Sequence, residues 1–136
     1  MKATIVLSLL IISQLLSHVG SAQQKLEIEI TNLKNDKGFV LVELLDENQK
    51  SIHGSKGLIK DKKSLISIEN LKQGKYAIRY FHDQNVNDKL DTNWFGIPSE
   101  GYGFSNDAYG AFGPKPFKDW LFELNDRTKI VLKTKN

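Results

Sequence analysis

The sequence predicts an all-β protein, a single sandwich of about seven short strands with one long loop rich in glycine and aromatic residues. Two observations carry that prediction. Short apolar stretches with the two-residue period of a strand recur along the chain, separated by clusters of turn-forming residues. Beyond the first 22 residues no window of helical length carries apolar residues at three-and-four spacing.

The strands read in order as follows. Leu26, Ile28 and Ile30 alternate with Lys25, Glu27 and Glu29, the pattern of a strand with one buried face. Residues 32–37 supply turn formers and Gly38 restarts the chain. Residues 39–45 (Phe39, Val40, Leu41, Val42, Glu43, Leu44, Leu45) are apolar enough for a central strand, expected to pair with the first. A polar turn follows at 46–51, and residues 54–60 are weakly patterned, supporting at most a short edge strand. Residues 65–68 form a further strand, Gly74 marks a turn, and residues 76–81 run as a strand to His82. Residues 120–124 and 129–132 flank a turn at 125–127 and read as a hairpin. The stretch 83–118 is too long for an ordinary connection, and function is sought there first.

The first residues read as an export signal. Lys2 gives a positive start, residues 3–16 are mostly apolar, and Gly20, Ser21 and Ala22 are the small residues a signal peptidase inspects. Cleavage after Ala22 is expected, leaving 23–136 as one β-sandwich domain. The apolar run falls short of the roughly 20 residues of a membrane-spanning helix, and Ser8, Ser13 and Gln14 weaken it as an anchor. No later stretch is apolar enough for a transmembrane helix. A periplasmic or secreted location follows as the expectation.

The chain has no cysteine, which excludes disulfides, thiolate chemistry and a lipidated N-terminal cysteine. Its net charge of +3 becomes +2 once Lys2 leaves with the signal, too little to argue for nucleic acid. Lys60, Lys62 and Lys63 cluster around Asp61, as expected of a solvated hairpin tip. A monomer is expected.

Two constellations point to chemistry. In residues 83–91, oxygen-bearing side chains fall at alternate positions: Asp83, Asn85 and Asn87, then Asp91, with Lys89 placed to offer its backbone carbonyl. Calcium takes six to eight oxygen ligands, and its best-known loop uses this spacing. Asp88 stands where that loop has a glycine, and Trp94 where it has a bidentate carboxylate, so Glu100 or Asp107 would have to fold back to complete the set. The competing reading is that these residues build consecutive side-chain-to-backbone turns. A structural calcium of modest affinity, on the order of 10⁻⁴ to 10⁻³ M, is the expectation.

The second constellation is aromatic. Nine of the 13 aromatic residues, all three prolines and five of ten glycines lie within 94–122. Such rings serve either as a stacking platform for a flat ligand such as a sugar, or as a cap packed over one end of the sandwich. Trp94, Tyr102 and Tyr109 are the candidate ligand-binding rings, with Asn106, Asp107 and Glu100 as polar partners.

The run Gly74-Lys75-Tyr76-Ala77, then Phe81-His82-Asp83-Gln84-Asn85-Val86-Asn87-Asp88-Lys89-Leu90-Asp91-Thr92-Asn93, then Phe95-Gly96-Ile97-Pro98-Ser99-Glu100-Gly101-Tyr102-Gly103-Phe104-Ser105-Asn106 and Phe112-Gly113-Pro114 resembles the bacterial family called domain of unknown function 2141. The resemblance implies a small exported protein with an immunoglobulin-like or prealbumin-like sandwich. In that family the metal-like loop usually carries glycine at the position of Asp88.

An exported, non-catalytic binding or structural module of the cell envelope is therefore expected, with a carbohydrate, peptide or protein as its ligand. The alternative is a hydrolase acting on a small molecule or carbohydrate, using His82 and Asp83, with Ser105 as a nucleophile. No spacing joins these residues into a triad. Only His53 and His82 remain after export, and the only arginines are Arg79 and Arg127, too few for a prealbumin-like hydrolase or a histidine zinc site.

Overall fold

The computed structural model describes residues 23–136, which form two packed β-sheets. The expected export signal, 1–22, lies outside the described residues. No helix among the described residues is long and apolar enough to cross a membrane.

The strands are β1 (Gln24–Thr31), β2 (Phe39–Asp46), β3 (Ser51–Gly57), β4 (Ile59–Lys60), β5 (Lys63–Leu71), β6 (Gly74–Asp83), β7 (Tyr102–Phe104), β8 (Tyr109–Gly110), β9 (Gly113–Pro114), β10 (Phe122–Leu124) and β11 (Arg127–Lys133). One sheet has the order β11-β1-β5-β4. The other has the order β10-β6-β2-β3, and β7 also pairs with β6. A separate two-stranded ribbon joins β8 to β9.

In the first sheet β1 sits between β5, antiparallel, and β11, parallel. Its alternation works as the sequence implies: Leu26, Ile28 and Ile30 are buried, while Glu27 and Glu29 lie on the outer face. Lys25 and Arg127 reach Glu27 at 3.1 Å each, and Lys129 reaches Glu29 at 3.1 Å. Hydrogen bonds from Lys25 and then Arg127 hold the Glu27 carboxyl below its usual value, and the bond from Lys129 does the same for Glu29.

In the second sheet Val40, Val42 and Leu44 of β2 and Tyr76, Ile78 and Tyr80 of β6 turn inward onto Leu26, Ile28, Ile30, Ile66, Ile68, Leu124 and Leu132. The β4–β5 turn carries the lysine cluster, with Asp61 and Lys62 both left-handed (φ 53° and 58°). The Asp36 carboxylate accepts the N–H groups of both residues.

Three expectations are corrected by the topology. The first two strands do not pair: β1 is filled on both edges by β5 and β11, and β2 by β3 and β6, so the chain crosses between sheets over residues 32–38. The C-terminal strands are not a hairpin. β10 pairs with β6 and β11 with β1, so residues 125–126 also form a corner between sheets. The weakly patterned stretch holds β3, seven residues long, whose exposed side chains carry no alternation because it is an edge strand with little of its surface against the core.

The 32–38 corner depends on Gly38, which has φ +69°. An added Cβ there would overlap the backbone carbonyl of Asp83, where β6 ends. Gly38→Ala is expected to cost about 3 kcal/mol or more, from left-handed backbone and overlap together. A thermal melt checks this, and an unchanged midpoint would show that the corner relaxes freely.

Candidate functional site

Beyond β6 the chain makes two excursions, 84–101 and 105–121, separated by the three residues of β7. The first is built around carboxylates. Asp83 is fully buried, and its two oxygens accept the N–H groups of Asn87 (3.1 Å) and Asp88 (2.9 Å). Asn87 Oδ1 accepts the N–H of Lys89 at 2.9 Å, and the amides of Asn85 and Asn87 donate to the two oxygens of Asp91 at 2.6 and 2.9 Å. Glu100 folds back onto this coil, accepting the N–H groups of Gln84 (2.8 Å) and Asp91 (3.1 Å). Asp107, the other candidate, instead accepts the N–H of Lys133.

Asp83, Asn85, Asn87, Lys89, Asp91 and Glu100 thus belong to one hydrogen-bonded cluster. Asp88 is left-handed (φ 60°), as the glycine position of a calcium loop requires, and Val86 is left-handed too (φ 61°), a conformation that a β-branched residue rarely adopts. Among the described residues, Asp83, Asp91 and Glu100 form no ion pair; the nearby pair is Lys56 with Asp88, at 2.8 Å. Among the same residues no three His, Cys, Asp or Glu side chains converge closely enough to hold an ion by themselves.

Beside this cluster, the outer face of the second sheet carries a groove of about 680 Å³. Its floor follows the register: Leu41, Phe81 and Tyr102 lie in one row across β2, β6 and β7, and Glu43, Arg79 and Phe104 in the next. Leu90, from the first excursion, joins the lining. Arg79 pairs with Glu43 and holds its carboxyl below the usual value, chiefly through their hydrogen bond. Lys56 Nζ sits 5.2 Å from the centre of the Phe39 ring. The sequence did hold a signal for this face, since Phe39, Leu41 and Phe81 are apolar at positions that alternate with the core residues.

The second excursion leaves and rejoins one edge of β6. β7 pairs with residues 79–81 and β10 with residues 74–76, on the side opposite β2. Ser105 fills the gap between them. Its hydroxyl accepts the N–H of Ile78 at 2.9 Å and donates to the carbonyl of Trp120 at 2.5 Å. Asn106, left-handed (φ 58°), donates to the carbonyls of Asp119 and Leu121, tying the loop ends together. The single Tyr109 Oη proton is shared between the carbonyls of Tyr102 (3.0 Å) and Lys133 (2.8 Å). Burial raises the Tyr109 phenol above its usual value and the enclosed Tyr80 phenol much further.

Of the nine aromatic residues in 94–122, five pack together, Phe122 packs against the core, and Trp94, Phe95 and Phe112 are exposed, Phe112 completely. Tyr102, Phe104, Tyr109, Phe117 and Trp120 pack in a chain of contacts with ring centres 4.3 to 6.1 Å apart. Trp94 and Phe95, with Ile97, stand in the open at 97, 84 and 59% exposure. Of the candidate ligand rings and their polar partners, only Tyr102 lines the groove. Asn106 and Tyr109 serve as ties, and Trp94 lies on the tip of the first excursion.

His82 is fully buried, with Nε2 2.7 Å from the carbonyl of Lys37 and no partner for Nδ1. Ser105 is equally enclosed, so neither group faces a space that admits a substrate in this conformation.

A family model described as an uncharacterised protein conserved in bacteria (DUF2141) matches residues 28–131. No curated protein and no solved structure matches the chain.

Removing the Ser105 hydroxyl leaves the Ile78 N–H buried without a partner. Ser105→Ala is expected to lose about 2–3 kcal/mol of stability in urea unfolding. A stability equal to that of the parent would show that the edge of β6 does not need the bridge.

Proposed function

The chain belongs to the bacterial family named domain of unknown function 2141, and from that premise we propose that it is an exported, non-catalytic binding module of the cell envelope, working in the periplasm or outside the cell. In this reading the apolar groove on the outer sheet face is the ligand seat, and a calcium ion orders the loop beside it. The ligand classes that suit such a seat are a carbohydrate, a peptide or a segment of a protein, held by Tyr102 and its neighbours.

The observation that carries the reading is the convergence of Asp83, Asn85, Asn87, Asp91 and Glu100 on one cluster, with Leu90 of the same loop in the groove lining. These residues fit the ion on chemical grounds. Each carboxylate oxygen of Asp83 retains a lone pair after accepting one N–H. The side-chain oxygens of Asn85 and Asn87 each accept one backbone N–H and keep a second lone pair, and the amide nitrogens that now bond Asp91 would have to release it for its oxygens to join the set. Three carboxylates without a cationic partner supply the charge that attracts a divalent cation. The ion is structural here: it fixes the loop and thereby the groove wall.

A melt of the exported protein with calcium and with chelator tests the proposal. At about a hundred times the dissociation constant, a ligand of the folded state adds about 2.7 kcal/mol and raises the midpoint by about 10 °C. The shift should disappear in Asp83→Ala and shrink in Asp91→Asn, which keeps the side-chain shape while removing a charge. Equal midpoints with calcium and with chelator would remove the ion from the proposal and leave the cluster as a set of backbone ties.

A further inference from the structure

Two rows of side chains make the floor of the groove. Lys56, Leu41, Phe81 and Tyr102 lie side by side across β3, β2, β6 and β7, and Gly54, Glu43, Arg79 and Phe104 lie in the row beside them. An ion pair, Glu43 with Arg79, thus stands in the middle of an otherwise apolar floor. Arg79 reaches Glu43 through Nε alone, and its side chain is 56% exposed, so among the described residues its two terminal nitrogens have no hydrogen-bond partner. The Glu43 carboxylate takes bonds from Arg79 and Ser51 and keeps acceptor positions beyond those two. The groove therefore holds unused donors and unused acceptors side by side.

Charge narrows the class of ligand. The charged residues of the lining are Glu43, Arg79 and Lys56, and Lys56 is held at 2.8 Å by Asp88 of the adjoining loop. Each positive side chain is matched by a carboxylate, so no formal charge is left over for an ion to neutralise. A wholly apolar ligand is disfavoured as well, because it would strip water from Arg79 and Glu43 and offer no hydrogen bond in return. The occupant that suits both conditions is uncharged, with apolar faces and with donors and acceptors along its rim. A sugar ring has that form: its C–H faces lie against rings such as Phe81 and Tyr102, and each hydroxyl both donates and accepts. An extended peptide lying on a sheet face finds only this one polar pair there, and its other backbone groups go without partners.

We propose that the groove binds an uncharged oligosaccharide, with one sugar ring on Phe81 and Tyr102 and its neighbouring hydroxyls bonded to Arg79 and Glu43. The proposal rests on the groove being the ligand seat. Its β3 end is open, since Gly54 has no side chain and nothing lies within 4 Å of the position a Cβ would take. A glycan chain therefore continues past the sheet edge instead of ending in a closed pocket.

An array of cello-, malto-, manno-, galacto- and N-acetylglucosamine oligosaccharides, with polygalacturonate and sulfated chains beside them, tests this on the exported protein, and calorimetry follows on the best binder. At least one uncharged chain is expected to bind, with the same affinity in low and high salt. Arg79→Met is expected to weaken that binding about tenfold or more, with little change in melting midpoint, because an exposed ion pair contributes little to stability. Binding of acidic chains alone, lost in high salt, overturns the proposal, as does equal binding by Arg79→Met or the absence of any uncharged binder. An uncharged peptide of alternating threonine and valine, capped at both ends, separates this failure from failure of the seat. Should the peptide bind where no sugar does, and lose its binding in Tyr102→Ala or in Leu41→Ser, the sugar is wrong and the seat stands. Should neither bind, both readings fall.

Discussion

The architecture hangs on one edge of β6 and on the hydroxyl of Ser105 that completes it. A sheet strand needs a continuous row of partners, yet here β7 and β10 cover only the two ends of that edge. Ser105 supplies the missing acceptor for Ile78 and closes onto Trp120. A single side chain thus substitutes for a backbone register position, and the chain is free to spend residues 105–121 outside the sheet. That freedom is what allows Tyr109, Phe117 and Trp120 to pack against Tyr102 and Phe104 of β7 without interrupting the sandwich.

The other end of β6 organises the other excursion by a different force. Asp83 is buried as a carboxylate, which is tolerable only because two backbone donors converge on it. Those bonds wind the chain through left-handed Val86 and Asp88 into a compact coil. Asp91 and Glu100 then link the coil to the base of the turn at 93–97. A continuous set of polar contacts therefore runs from the central strand of the second sheet to the Trp94 tip, so the position of the tip is set by the sandwich rather than by a free loop.

Much of this was legible in the sequence, and what was not has a physical reason. The alternation of Leu26, Ile28 and Ile30 marks a half-buried strand because only one face meets the core, and the oxygen-bearing residues of 83–91 declare their cluster because the spacing is local. The sequence left the choice between Glu100 and Asp107 open, and it is Glu100 that folds back, onto the N–H groups of Gln84 and Asp91. Pairing is another matter. Whether β1 lies against β2 or against β5 and β11 depends on contacts up to a hundred residues apart, and a seven-residue corner at 32–38 suits either arrangement. The groove was only partly marked, by apolar Leu41 and Phe81 on the outer face, because its lining residues Leu41, Phe81, Tyr102 and Leu90 come from four separate segments and form a surface only once the sheet is registered. Asn106 and Tyr109 looked like ligand residues because polar and aromatic side chains in a glycine-rich stretch suit binding and bracing equally well.

Bracing and display separate cleanly once contacts are known. Tyr109 and Trp120 use their polar ends on backbone carbonyls and their rings on neighbours, so the fold accounts for both halves of each side chain. Trp94 and Phe95 have no such account. Their turn is closed by Asn93, Gly96 and the bridge between Thr92 and Pro98, and those contacts do not use the side chains at positions 94 and 95. Two large rings exposed on a rigid turn contribute nothing to the stability of the folded chain and expose it to aggregation. No contact within the folded chain accounts for their exposure.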